Sequence, residues 1–207
     1  MYAKCLKRLF DFLLALLAIL ILSPILLLLT LIGAVAMGGN PFFTQLRPGK
    51  NERIFRLVKF RTMTNRRNAE GELLPDSERL NGYGRFLRRT SLDELPELFN
   101  ILVGHMALVG PRPLLVKYLP LYSEEQRHRH DVRPGLTGYA QVHGRNALTW
   151  EERFALDLHY VRHVTLWGDI KILFGTVGAV LKGRGVSSAT SATMEEFKGS
   201  SAKNEDL

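Results

Sequence analysis

The chain opens with an uncharged stretch over residues 12–46, and its densest part, residues 12–37, holds 26 residues without one charge. As a straight helix that part would reach about 39 Å, enough for a hydrocarbon core of about 30 Å. Ser23-Pro24 stands in its middle. Proline lacks the backbone donor and crowds the preceding turn, so a kink is predicted at Ser23, whose hydroxyl can take over a freed carbonyl. Lys4, Lys7 and Arg8 flank the stretch on one side, and Arg47, Lys50, Arg53, Arg56, Lys59 and Arg61 on the other. Basic flanks stay in the cytoplasm, and one crossing cannot satisfy both. A re-entrant helix-break-helix that enters, bends at Ser23-Pro24 and returns is therefore favoured. A single span and a cleaved signal peptide are the alternatives.

Gly38-Gly39-Asn40-Pro41 ends this run with turn chemistry. Residues 42–45 and 54–63 read as short strands and predict a small β-hairpin around the Arg47-Pro48-Gly49-Lys50 turn, followed by a polar surface loop over 65–81. Leu95, Leu98, Phe99 and Leu102 recur at helical spacing, predicting a helix over 94–103 that Gly104 stops. Further helices are predicted over 114–130, with Ser123 opening its second half, and over 150–164 and 167–181. Residues 132–145 read as loop with short extended pieces. The last helix carries Ile170, Leu173, Phe174, Val177 and Leu181 on one apolar side, the pattern of an interfacial amphipathic helix. The expected fold is α+β and predominantly helical, and monotopic in the membrane. It divides into a membrane segment over 1–40, a cytoplasmic domain over 41–185 and a disordered tail over 186–207.

Of the 207 residues, those beyond the membrane segment suffice for one domain with a core. The formal charge of +8 is concentrated, with twelve Lys or Arg against five Asp or Glu between residues 47 and 91. Such a surface beside a membrane segment suits anionic headgroups or phosphorylated ligands. Nucleic acid is disfavoured, because no zinc spacing, helix-turn-helix pattern or RNP-like aromatic motif accompanies the charge. Cys5 is the single cysteine, so no intramolecular disulfide forms and a reducing cytoplasm fits.

The chemistry concentrates on Asp93-Glu94 within Thr90-Ser91-Leu92-Asp93-Glu94-Leu95-Pro96. With Ser91 as N-cap, Ser91 and Glu94 form a capping box, but Pro96 then falls inside the helix. With Asp93 as N-cap, Pro96 is harmless and the box is lost. Both openings present adjacent carboxylates to one loop. Arg88, Arg89, Arg112 and Arg145 lie beside this pair or at Gly and Pro turns. Arg112 is fixed between Pro111 and Pro113, which orients its planar fork for bidentate phosphate recognition. Carboxylates with converging arginines suit an anionic, diphosphate-like ligand carrying Mg²⁺. The six histidines show no metal-binding spacing, and no G-x-G-x-x-G, Walker A or nucleophile-elbow sequence occurs.

Four segments in order resemble the bacterial sugar transferase family, the monotopic phosphoglycosyl transferases: Lys59-Phe60-Arg61-Thr62-Met63; Arg89 through Asn100; Leu108-Val109-Gly110-Pro111-Arg112-Pro113; and Arg133 through Val142. The short length and the segment from Glu124 to Asn146 look most like the Campylobacter-type members that start protein N-glycosylation. The resemblance implies transfer of a phospho-sugar from a UDP-sugar to a polyprenol phosphate, with Mg²⁺, at the cytoplasmic face of the bacterial inner membrane. It places the catalytic dyad on Asp93 and Glu94, which would also hold the metal, and the membrane break on Ser23-Pro24. On that basis the expected reaction has two steps. Asp93 attacks the β-phosphate, UMP leaves, and the polyprenol phosphate takes the sugar phosphate from a covalent aspartyl intermediate. Glu94 is either metal ligand or base. Lys59, Arg61, Arg88, Arg112 and Arg145 are the expected phosphate contacts, and Asp157 a further polar candidate. His105 and Ala107 depart from the family pattern, which has an acid and a serine there. The competing classes are a non-catalytic adaptor binding anionic lipid and a one-step transferase.

Overall fold

The computed structural model describes residues 2–144, 148–181 and 196–199. One π-helical turn, Tyr2–Leu6, leads into helix α1, Lys7–Ala36. Lys7, Asp11, Ala15, Leu29 and Gly33 are buried, and Ala18, Ile19, Leu22 and Leu26 pack on core residues between them. These positions recur every three or four residues, so a single stripe of α1 faces the rest of the protein along its whole length. Its remaining faces are bare and apolar, with Leu20 63% and Val35 85% exposed. Both ends of α1 are held by the same body. Lys7 meets Asp169 at 2.7 Å and Arg8 donates to the Ile101 and Leu102 carbonyls, while Tyr83 donates to the Leu29 carbonyl and Asn81 to that of Ala36.

The expected break is absent from the helical assignment, which runs through Pro24. The reason lies at the Leu20 carbonyl. A residue with an N–H at position 24 would donate to it; Pro24 cannot, and Ser23 Oγ supplies the hydrogen bond instead at 2.9 Å.

Strands β1, Phe42–Pro48, and β2, Ile54–Phe60, pair antiparallel in the register Phe42 with Phe60 to Pro48 with Ile54. The turn falls at 49–53 rather than at 47–50, because Arg47 and Pro48 belong to β1 and Asn51 and Glu52 supply the left-handed conformations (φ 54° and 58°). Two short helices follow that the sequence pattern had left as loop or unassigned, α2, Asp76–Arg79, and α3, Gly82–Thr90. Asn81 caps α3 by accepting from the Gly84 N–H at 2.9 Å.

Helix α4, Glu97–Leu102, packs between α1 and β2. Gly104 follows it at φ 89°, the left-handed C-terminal stop expected of it. Strand β3, Ala107–Val109, then pairs parallel with β4, Gly135–Thr137. Gly110 leaves β3 so close to its neighbour that a Cβ there would stand 2.4 Å from the Arg133 carbonyl oxygen.

The helix predicted over 114–130 does not form as one piece. Pro113 and Pro120 restrict the segment to a 3₁₀ stretch, Val116–Leu121, before α5, Glu124–Arg127. Ser123 opens α5 with a capping box to Gln126. Helices α6, Tyr139–His143, α7, Trp150–Arg162, and α8, Leu166–Leu181, follow. Asp169, Ile172 and Thr176 of α8 face the domain, while Trp167, Phe174 and Val177 stay exposed, as an interfacial helix requires. Most of the predicted disordered tail lies outside the described residues, but Glu196–Gly199 corrects that expectation locally. Phe197 is buried among Tyr118, Tyr122, Trp150 and Phe154, with ring centroids 5.1 to 5.9 Å away.

Candidate active site

Asp93 and Glu94 sit in the 3₁₀ turn Leu92–Glu94. Neither helix opening expected from sequence is used. Ser91 closes α3 in a left-handed conformation (φ 57°), and Pro96 is the N-cap of α4. Proline at a helix start leaves no bond unmade, so the boundary falls there. The two carboxylates are thus carried on a tight turn between two helix ends.

They line a cleft of about 1130 Å³ together with Lys59, Arg61, Arg88, Arg112 and Asp157. Six of the seven candidates outside the membrane helix's own pair, Ser23-Pro24, that fall on described residues therefore share one cavity with the seventh; Arg145 lies outside the described residues. Lys59 reaches from β2 to Glu94 at 2.8 Å and to Glu97 at 3.0 Å. Arg112, beyond β3, donates to the same Glu94 oxygen. Arg88 on α3 donates to Thr62 Oγ1 at 3.1 Å. Asp93 makes no hydrogen bond or ion pair among the described residues and opens to the cleft.

The charges separate the dyad. Burial pushes Asp93 up, and the adjacent Glu94 pushes it further; Lys59, Arg112 and Arg88 oppose this, and the carboxyl settles at about 6. Burial acts on Glu94 in the same direction, but Arg112 and Lys59 outweigh it and hold Glu94 well below the usual carboxylate range. Glu94 is accordingly a permanent anion that fixes two cations, and Asp93 a carboxylate with a free face. Arg112 is raised by Glu94 against the opposing effect of burial and stays charged.

Asp157 is placed one step back. It is buried against Arg129 at 2.7 Å, and Arg129 in turn donates to the Arg112 main-chain carbonyl at 2.8 Å. His105 stacks near Phe55, ring centroids 5.5 Å apart, and Ala107 is buried in β3. Three site residues escaped the sequence reading. Glu97, 2% exposed, is raised to about 7 by burial, which Lys59 only partly offsets. Its place three residues after Glu94, on the next helical turn, is the signal that was available. Arg47 reads as a membrane flank in sequence but lines the cleft, where burial and the neighbouring Arg112 lower it to about 10. Arg129 reads as one more surface cation and becomes legible only through Asp157.

Among the described residues no three His, Cys, Asp or Glu side chains converge as a metal cage. Mg²⁺ commonly takes one or two carboxylates and completes its shell with substrate phosphates and water. Asp93 and the second oxygen of Glu94 suit that mode.

A helix stripe docked beneath a bare apolar face, and an Asp-Glu turn facing clustered arginines, define a membrane-associated enzyme of anionic substrates. The match to known proteins is specific. Residues 2–183 match the model of the bacterial sugar transferase family, and the chain belongs to that family and is a phosphoglycosyl transferase. It is 48% identical to the sugar transferase EpsL of Bacillus subtilis, over 94% of this chain and 96% of that one. It is 36% identical to the undecaprenyl-phosphate galactose phosphotransferase of Salmonella typhimurium, over 87% of this chain and 41% of the relative. It is 39% identical to the UDP-glucose:undecaprenyl-phosphate glucose-1-phosphate transferase of Escherichia coli, over 84% and 40%. The chain thus spans about two fifths of these two longer relatives.

Proposed function

We propose that the enzyme transfers a sugar phosphate from a UDP-sugar to a polyprenol phosphate at the cytoplasmic face of the inner membrane, through a covalent intermediate on Asp93. The observation that carries this reading is the division of labour in the dyad. One oxygen of Glu94 is taken by Lys59 and Arg112, while Asp93 faces the cleft without a partner among the described residues. An Asp93 oxygen attacks the β-phosphorus, the bond to UMP breaks, and an aspartyl phosphosugar results. A phosphate oxygen of the polyprenol phosphate then attacks the same phosphorus and releases the Asp93 carboxylate. Lys59, Arg112 and Arg88 neutralise the charge on the phosphoryl oxygens in both steps. Arg47 and Arg112 repel one another across the cleft, a strain that a bound diphosphate relieves. Asp93 and Glu94 would hold Mg²⁺, which would supply further neutralisation of the phosphates.

The names of the relatives support undecaprenyl phosphate as acceptor and a UDP-hexose as donor. Two relatives, both ExoY proteins, are named for exopolysaccharide production, which favours that destination for the product; protein N-glycosylation rests on the resemblance of short segments alone. Attachment of both ends of α1 to one body supports a re-entrant segment. That geometry keeps the cleft at the depth of the acceptor's phosphate and turns a search in solution into proximity.

The test is incubation of purified enzyme with a UDP-sugar alone. Stoichiometric UMP and a protein mass increased by one sugar phosphate are expected, and Asp93→Asn should show neither. UMP release that requires the polyprenol phosphate would replace this scheme with a one-step transfer. No release under either condition would leave the adaptor reading.

A further inference from the structure

Part of the cleft lining, which we call its apolar arm, is built of aliphatic side chains. It comprises Leu108, Leu136, Val142, Leu173 and Val177. Strand pairing sets this arm beside the reacting groups. Val109 of β3 pairs with Thr137 of β4, so Leu136 and Thr137 lie next to the strand that leads through Gly110 and Pro111 to Arg112. Helices α6 and α8 close the other side. A Cβ at Gly175 would stand 3.5 Å from Val142, which measures how closely the two helices approach. The polar groups of the arm are mostly bonded within the protein, and Gln141 Oε1 alone among those named here lacks a partner among the described residues. Thr137 and Thr176 share a hydrogen bond of 2.6 Å, and Gln141 donates its amide to the Leu136 carbonyl at 3.0 Å. At the outer end Val177 is 57% and Phe174 76% exposed.

We infer that this arm, between β3–β4 and α6–α8, seats the first isoprenyl units of the lipid acceptor, with the acceptor's phosphate at Arg112 and the rest of the chain leaving past Val177. The inference rests on the reading given under Proposed function. Charge complementarity fixes the inner end, where Lys59 and Arg112 face an anion, and the exposed apolar residues of α8 fix the outer one. A nucleoside or sugar is the wrong occupant. Gln141 Oε1 could accept from one of its donors, but its remaining hydroxyls and amides would be desolvated against leucine and valine, whereas branched prenyl groups gain from the same contact.

Val177→Asp tests this at a half-exposed position where folding is not at stake, with Leu173→Trp as a second variant that fills the arm. Loading of the enzyme from UDP-sugar alone, followed as UMP release, should match the unsubstituted enzyme. Transfer to undecaprenyl phosphate should show an acceptor KM raised about tenfold. A polyprenyl phosphate with a photoreactive first isoprenyl unit should label α8, and a phospholipid carrying the same group should not compete. Unchanged acceptor KM, an equal loss of loading in Val177→Asp, or equal labelling by the phospholipid would overturn the placement. Absence of any transfer by the unsubstituted enzyme would instead remove the reading beneath it, and the placement with it.

Discussion

The Lys59 ammonium lies 3.0 Å from Glu97, a carboxylate that is 2% exposed, while the same nitrogen holds Glu94 at 2.8 Å. One cation is thereby shared by two acids, and the acid with the weaker claim titrates near neutrality. Glu97 is raised from 4.5 to about 7. A raised carboxyl contributes stability that is complete below its unfolded value and is lost as pH rises through its folded one. The thermal midpoint in detergent should therefore fall as pH rises from 4.5 to about 7, by a contribution on the order of 3 kcal/mol. Glu97→Gln should remove the Glu97 share of that slope and leave the share of Asp93, whose carboxyl is likewise raised, to about 6. A slope equal to that of the unsubstituted protein would assign the titration to another group.

Asp93 has the opposite relation to activity. With its carboxyl at about 6, the protonated form dominates below that value and cannot attack phosphorus. Single-turnover UMP release should rise with pH, reach half its maximum near 6 and then level off. A flat profile from pH 5 to 8 would contradict a nucleophile with this surrounding.

Arg112 meets Glu94 through its guanidinium and Arg129 through its own carbonyl. Arg112→Lys keeps the charge and loses the fork, so kcat/KM should fall at least about tenfold with the fold intact. Circular dichroism and the thermal midpoint check the second half of that statement.

Asp157 should behave differently from Arg112. Asp157→Asn removes the counter-charge of a buried arginine, which costs about 3 to 5 kcal/mol. The expected result is a lowered thermal midpoint together with lowered activity. Activity lost at an unchanged midpoint would place Asp157 in contact with substrate after all.

Topology is decided by two thiols, native Cys5 and a second one introduced by Ser200→Cys. A re-entrant α1 puts both in the cytoplasm, and a membrane-impermeant reagent should label neither in intact cells. Selective labelling of Cys5 would establish a spanning helix. Ser23→Leu with Pro24→Ala restores an unbroken backbone ladder and should shift part of the population toward spanning.

The legible parts of the sequence were those governed by local chemistry. Residues 12–37 announced an apolar helix, Ser23 its repair of Pro24, Ser123 a cap, and Gly104 a stop; each depends on neighbours within four positions. What stayed hidden depends on distant partners. Strand β3 is three residues long and exists because Gly110 and Gly135 let two backbones meet. Ser91 looked like a helix opening because the Ser-x-x-Glu spacing is a common one, and the left-handed turn that places it at the end of α3 leaves no mark in composition. The cleft shows the same division. Asp93, Glu94 and Arg112 stand out through their immediate neighbours, whereas Glu97 and Arg47 become site residues only when β1, β2 and α4 are brought together.

Asp169 collects the hydroxyls of Tyr2 and Tyr160 and the ammonium of Lys7 at 2.6, 2.8 and 2.7 Å. Lys7 and Asp169 are 162 positions apart. At roughly 5 to 20 residues per second, synthesis separates their appearance by about ten to thirty seconds. During that interval α1 is already in the nascent chain, and Lys7 has Asp11, one turn on at 3.6 Å, as its nearest acid. Helix α8, made long after α1, therefore completes the seat of α1. A lesion at Asp169 is for this reason a defect of biogenesis, visible as slow or incomplete docking of α1 in newly made protein before any measurement of turnover.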